Sequence, residues 1–256
     1  ITVPNNHVVA ATGELQNASK VLKPAWRKRL KQARRSPEPV MVVTPEEAEA
    51  RGKDTPRGTT TWEFEAENVR DFAFASCARF MWDAMGVAIG DDVVMAMSFF
   101  SSEGEPLWSR YSTHAVAQAL ETYSQVAVPY PWPVAISVNG PVGGGMEYPM
   151  ISFNAPRPED DGTYSKRQKY GLISVIIHEV GHNWFPMIIN TDERQWTWID
   201  EGFNSFVQVM AEQRWEEDYP SWNGEPSKIA PYMKRTDDVP IMTASDSLLH
   251  FGQNAY

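Results

Sequence analysis

Residues 176–182 read Ile176-Ile177-His178-Glu179-Val180-Gly181-His182, and residues 198–202 read Trp198-Ile199-Asp200-Glu201-Gly202. On a helix, positions i and i+4 lie on one face about a turn apart, so His178 and His182 can turn two imidazoles toward one ion. Ile173, Ile176, Ile177 and Val180 supply an apolar face on the same helix, which reads as packed and rigid. Eighteen residues separate His182 from Glu201, which opens the next helical stretch. That distance lets a second helix return antiparallel and offer a carboxylate to the same metal. Taken alone, Glu201 also fits a solvated glutamate at a helix start, favoured by the helix dipole; beside two histidines it reads as the third ligand. Two histidines and one carboxylate leave the fourth position of a Zn2+ ion open to water, the arrangement of a catalytic rather than a structural zinc, one ion per chain. Glu179 is not needed as a ligand and is placed to take a proton from that water as a general base.

Working outward, helical patterns cover 165–185 and 199–215, and a third covers 108–126 with Val116, Ala119, Leu120 and Tyr123 on one face. Continuous apolar runs predict strands at 93–100 and 134–138, and a short strand at 148–153 follows the glycine-rich turn 140–145. Residues 154–162 read as a polar loop, and the last forty residues are punctuated by proline. The first seventy residues are irregular and β-rich, with strand-like stretches in 1–14, a basic helix, a loop-like segment over 36–61, and Trp62, Phe64 and Ala66 alternating with glutamates. Apolar density rises after 68–71, so the expected division is 1–70 and 71–256. Strands first and helices afterwards predict an α+β domain.

Composition narrows the function classes. A chain of 256 residues with 42 % hydrophobic and 12 % aromatic side chains can bury a real core, which excludes disorder over most of its length. No apolar run approaches the roughly 18 residues of a membrane span. One cysteine, Cys77, excludes an internal disulfide framework and any zinc site built on several thiolates; its apolar setting predicts an inert, buried thiol. That single thiol fits either side of a bacterial membrane, so the compartment stays open. The chain begins at Ile1 without a signal-peptide pattern, as a processed or excised piece would. The net charge is −10, yet Lys20, Lys23, Arg27, Lys28, Arg29, Lys31, Arg34 and Arg35 form a run with no acidic residue. With Trp26 as the one aromatic among them, and on an acidic protein, that run reads as a solvated helix face rather than a nucleic-acid surface. His7, His114 and His250 read as surface or packing histidines.

The two zinc segments together resemble the aminopeptidase N family of zinc aminopeptidases, within the thermolysin-like gluzincins. A second motif carries the resemblance independently: Gly144-Gly145-Met146-Glu147-Tyr148 is similar to that family's G-x-M-E-N segment and stands upstream of the zinc helix, in the family's order. Thermolysin-type endopeptidases share the zinc pattern but lack this motif. The resemblance implies a thermolysin-like catalytic domain with zinc between two antiparallel helices, preceded by the tail of a β-rich domain and cut short in its helical half. It implies that Glu147 holds the free α-ammonium of the substrate, whereas from sequence alone an exposed strand-edge glutamate is the other reading. A glycine-rich edge also lets a substrate backbone approach and pair as an added strand. Tyr256, 74 residues beyond His182, resembles the family tyrosine whose hydroxyl stabilises the oxyanion, with a packing tyrosine as the alternative. Gln208 stands where some members carry a carboxylate behind a zinc ligand.

These readings converge on a zinc metallo-aminopeptidase acting on peptides with a free N-terminus. His178, His182 and Glu201 are its ligands, Glu179 its base, Glu147 with Gly144, Gly145 and Met146 its substrate contacts, and Tyr256 its oxyanion donor. The alternatives are an epoxide hydrolase on the same scaffold and a catalytically weak zinc-bearing interaction module. Oligomeric state is left open.

Overall fold

The computed structural model describes residues 1–235, 239–248 and 252. The N-terminal part is knitted from short antiparallel ribbons: β1 (Thr2–Pro4), β2 (Val8–Ala11) and β3 (Glu14–Leu15). They are followed by helices α1 (Ala18–Val21) and α2 (Pro24–Ala33), strand β4 (Val40–Val43) and helix α3 (Pro45–Lys53). Strands β5 (Thr59–Thr61), β6 (Phe64–Glu65) and β7 (Phe74–Cys77) then return to pair with β1, β3 and β2 in turn.

The loop expected over 36–61 is corrected here, because it contains both β4 and α3. Pro45 is not a breaker but sits in the first helical turn, where its missing N–H costs nothing. Thr44 and Glu47 close a reciprocal capping box before it. The basic helix is as expected: α2 buries Trp26 and Ala33, and six of the eight cations of the run Lys20 to Arg35 are exposed, Arg27 and Arg29 being half-buried. Cys77 is half-buried rather than buried, since β7 pairs only with β2 and leaves one face open.

The centre is a six-stranded mixed sheet. Its further strands are β8 (Met81–Ile89), β9 (Asp92–Phe100), β10 (Val134–Asn139), β11 (Gly145–Tyr148) and β12 (Ile151–Asn154), in the order β11-β12-β10-β9-β8-β4. The pairs β9–β10 and β10–β12 are parallel and the rest antiparallel. β4 therefore lends a strand from the first seventy residues to this sheet. β8 is buried along nearly its whole length, so it lacks the alternation by which a strand is read from sequence. The single strand expected at 148–153 is two strands, turned at Pro149 and Met150, where Met150 takes φ 64°. That turn makes β11 the free edge of the sheet.

Helix α4 (Leu107–Val126) crosses between β9 and β10, and Val116, Ala119, Leu120 and Tyr123 are fully buried, the face that the sequence predicts. Helix α5 (Lys166–Gly181) starts at a capping box of Ser165 and Gln168. Helix α6 (Phe203–Trp215) runs antiparallel to α5: Asn204 bonds at His178, Gln208 at Ser174, and Glu216 beyond its end at Tyr170. A four-residue helix α7 (Pro226–Ile229) follows. Among the described residues no helix is long and apolar enough to cross a membrane.

Candidate active site

Helix α5 presents its functional side chains because its other face has no freedom. Leu172, Ile173, Ile176, Ile177 and Val180 are all buried to within 1 %, which fixes the rotation of the helix about its axis. At Gly181 side chains from two other helices pack directly on the α5 backbone: a Cβ there would lie 2.1 Å from Asn204 Oδ1 and 2.3 Å from the Tyr123 hydroxyl. Tyr123 donates to Asn204 Oδ1 (2.7 Å), and Asn204 Nδ2 donates to the His178 carbonyl (2.9 Å). These bonds pin the start of α6 to the end of α5. A wide turn over Trp198–Gly202 then delivers Glu201 opposite the two histidines.

His178 Nε2 lies 3.1 Å from His182 Nε2 and 3.1 Å from Glu201 Oε2, which is 3.4 Å from His182 Nε2. Hydrogen bonding on the far side of each ring assigns the tautomers. His182 Nδ1 is 2.8 Å from both the Phe185 carbonyl and Asp200 Oδ1, two groups that can only accept, so Nδ1 carries the hydrogen. His178 Nδ1 is 2.9 Å from Gln208 Oε1 and, further off, 3.3 Å from Asn204 Nδ2, whose shorter bond goes to the His178 carbonyl. The nearer contact is thus to an acceptor, and the orientation of Gln208 is set because its Nε2 donates to Glu212 Oε1 (2.8 Å) and the Ser174 carbonyl (3.3 Å). Both Nε2 lone pairs therefore point at one carboxylate oxygen and at each other. Three lone pairs converging in this way call for a cation. Ligand bonds of about 2.0–2.1 Å in a tetrahedron put neighbouring donor atoms roughly 3.3 Å apart, and the observed spacing of 3.1–3.4 Å fits Zn2+.

The carboxylates around this point draw positive charge to it, whether a proton on the imidazoles or a metal ion between them. Burial works to raise Glu201, yet the hydrogen bonds and charge of His178 and His182 hold it well below the usual range. Burial would lower His182, but Asp200 and Glu201 outweigh it and draw the ring well above an ordinary imidazole. Glu179 is pushed up to about 8, first by burial and then by Glu147, Glu201 and Asp200, with His182 opposing. Its Oε2 is buried and has no hydrogen-bond partner. Burial also raises Glu147. Glu147, Glu179 and His182 each bring a polar atom within 4.8 Å of the others. Gly145 allows this crowding, since a Cβ there would sit 2.2 Å from Glu179 Oε1. A cleft of about 320 Å³ lined by Thr197, Asp200, Glu201, Arg194 and Asp246 opens beside the group.

Five of the residues singled out in the sequence thus fall into two adjoining groups that share His182: His178, His182 and Glu201, and Glu147, Glu179 and His182. Gly145, Met146 and Glu147 lie on β11 at the sheet edge with Gly144 just before it, and the Met146 side chain is exposed. Tyr256 and His250 lie outside the described residues. His7 and His114 stand apart, half-buried, against Ser76 and Glu38 respectively. Sequence reading missed Asp200 and Asn204. Asp200 adjoins Glu201, and its acidic side chain could have been asked what it served; nothing in the sequence marks Asn204, whose partners come from two other helices.

A family model described as the Peptidase family M1 domain matches residues 111–248. The chain belongs to peptidase family M1. Among curated relatives it is 23 % identical over 129 residues to Aminopeptidase M1-A of Oryza sativa subsp. japonica, covering 48 % of this chain and 14 % of that protein. It is 26 % identical over 118 residues to Aminopeptidase M1 of Arabidopsis thaliana, covering 44 % and 13 %. Among solved structures, a two-domain M1 zinc metallopeptidase variant bound to L-arginine aligns over 91 % of this chain and 42 % of its own, with TM-score 0.56 and 16 % identity. An M1 zinc metallopeptidase from Deinococcus radiodurans aligns over 93 % and 43 %, with TM-score 0.52 and 16 % identity. These likenesses bear on the fold, and the α+β, thermolysin-like expectation holds. The chain spans only about one seventh of the plant relatives and less than half of the structural neighbours. Nothing among them supports the epoxide hydrolase alternative.

Proposed function

We propose that this M1 chain carries the active centre of a zinc-dependent aminopeptidase, which hydrolyses the first peptide bond of peptides with a free N-terminus. The observation that supports it best is the pairing of a zinc-sized donor triangle with two further carboxylates, Glu179 and Glu147, packed within 4.8 Å of each other and of His182. His178, His182 and Glu201 would hold the Zn2+, which supplies Lewis acidity to the scissile carbonyl and acidity to a water. Glu179 takes the proton of the attacking water and hands it to the leaving amine. Its raised affinity for a proton suits the second half of that task, and a neighbouring dication lowers it for the first. Glu147 neutralises the substrate ammonium and so sets the register at the first residue. The free edge of β11 offers backbone groups to the incoming chain. Tyr256 is kept as the oxyanion donor, and residues 1–70 as the tail of a β-rich domain that lends β4 to the catalytic sheet.

The test combines metal analysis with hydrolysis of aminoacyl-anilides and their N-acetylated counterparts. One zinc per chain, cleavage confined to free amines, and at least a 100-fold loss of rate in Glu179→Gln with zinc retained are the expected results. Absence of zinc binding would refute the reading.

A further inference from the structure

The zinc site as read above leaves one buried acid without a role. Glu212, three turns along α6 from Glu201, is 1 % exposed. Its Oε1 accepts from Gln208 Nε2 at 2.8 Å, and Gln208 Oε1 in turn faces His178 Nδ1 at 2.9 Å. The three side chains form a single line from the protein interior to a candidate metal ligand. We infer that Glu212 is a positioning residue for the metal: by orienting the Gln208 amide it holds His178 in the one tautomer that can ligate.

An amide has a donor end and an acceptor end, and turning it over exchanges them. With its carbonyl toward His178, Gln208 requires a hydrogen on Nδ1 and leaves the Nε2 lone pair free to bind. Turned over, it would offer an N–H to Nδ1, which stabilises the opposite tautomer and places a hydrogen on Nε2, where the metal belongs. Gln208 cannot arbitrate by itself. The two acceptors on its nitrogen end do so, and of these the Ser174 carbonyl is distant at 3.3 Å, whereas the Glu212 carboxylate is close. A hydrogen bond to an ionised acceptor is roughly twice as strong as one between neutral groups. Partners behind ligating histidines typically change metal affinity by about 10–100-fold when removed. Here a neutral amide touches the ring and the carboxylate acts from one residue further back. His182 differs, because its Nδ1 meets the fixed backbone carbonyl of Phe185, with Asp200 Oδ1 also 2.8 Å away.

The inference rests on the zinc reading, and the experiment separates the two. Zn2+ affinity would be measured by competition with a chromogenic chelator for the unaltered chain, Glu212→Leu, Glu212→Gln and the double variant Gln208→Glu/Glu212→Leu. Near-ultraviolet circular dichroism would be recorded alongside. Glu212→Leu removes the acceptor and should weaken zinc binding about tenfold. Glu212→Gln can accept, but its amide can also turn over and donate, so its affinity should fall between those of the unaltered chain and Glu212→Leu. In the double variant a carboxylate accepts from His178 Nδ1 without needing to be oriented, so affinity should return to within about threefold. If Glu212→Leu binds zinc as tightly as the unaltered chain, or if the double variant remains tenfold weaker while folded, the inference is overturned. Should Glu212→Leu fail to fold alone, the double variant decides by the same criterion. An unaltered chain that binds no zinc would instead refute the metal site itself.

Discussion

Asp83 offers a prediction whose size follows from the structure. It lies on β8 with its carboxyl fully buried against α4, and burial is the main reason its pKa is raised to about 7, with a smaller push from Glu105. Thr113 Oγ1 donates to Asp83 and lies 2.7 Å from Ser98 Oγ, whose own hydroxyl can donate in return, so the raised value rests on burial and not on a missing hydrogen. The unfolded chain holds this proton only below about 3.9. Between the two values the native state binds more protons than the unfolded one, so stability falls as pH rises. About three units at 1.36 kcal/mol each give a loss on the order of 4 kcal/mol between pH 4 and pH 8. Asp83→Asn replaces the carboxyl by a neutral group that can also donate to Thr113 and does not titrate. Urea denaturation of both proteins at half-unit pH intervals would measure the effect, and their difference cancels the groups they share. The unaltered chain should lose roughly 4 kcal/mol relative to Asp83→Asn across that window, with the steepest change below pH 7. Parallel stability profiles would show that Asp83 is ionised in the folded protein and would refute the reasoning.

Two further substitutions address substrate contact and crowding. Glu147→Gln removes the charge offered to a substrate ammonium but keeps the shape; KM for aminoacyl-anilides should rise by at least tenfold, about 1.4 kcal/mol, and preference over N-acetylated substrates should shrink, whereas an unchanged preference would remove Glu147 from substrate binding. Gly145→Ala puts a methyl group 2.2 Å from Glu179 Oε1, so it should lower kcat by about 100-fold, the scale of a lost general base, with zinc stoichiometry intact; loss of zinc together with rate would mean that the strand, not the base, had moved.

What the sequence revealed and what it concealed follow one physical division. The helices were legible because a helix repeats its own pattern: the buried face of α4 and the i, i+4 pair of α5 are properties of a single element. β4 and α3 were missed although Thr44, Pro45 and Glu47 spell a helix start, because proline was weighed only as a breaker. β8 was missed because burial on both faces erases alternation while Asp83 and Gly86 interrupt the continuous apolar run by which β9 and β10 could be read. At the candidate site, the residues proposed as ligands and base could be singled out from spacing along one chain segment, His178, His182, Glu179 and Glu201, and Glu147 from a second motif. What packs around them, set by where other elements approach, could not. Gly145 reads as part of a flexible turn, but its missing side chain is the space that Glu179 occupies. Gly181 reads as a gap in a motif, but it is where Asn204 and Tyr123 meet α5. Gln208 could be noticed as a departure from a family pattern, yet its meaning required Glu212, four residues on, buried and within hydrogen-bond reach. The proposed ligand set is thus local information, while the proposed control of ligand tautomer and base position is tertiary. Substitutions at Gly145, Gly181 or Glu212 would leave every recognisable motif in this sequence unchanged while altering the site that those motifs describe.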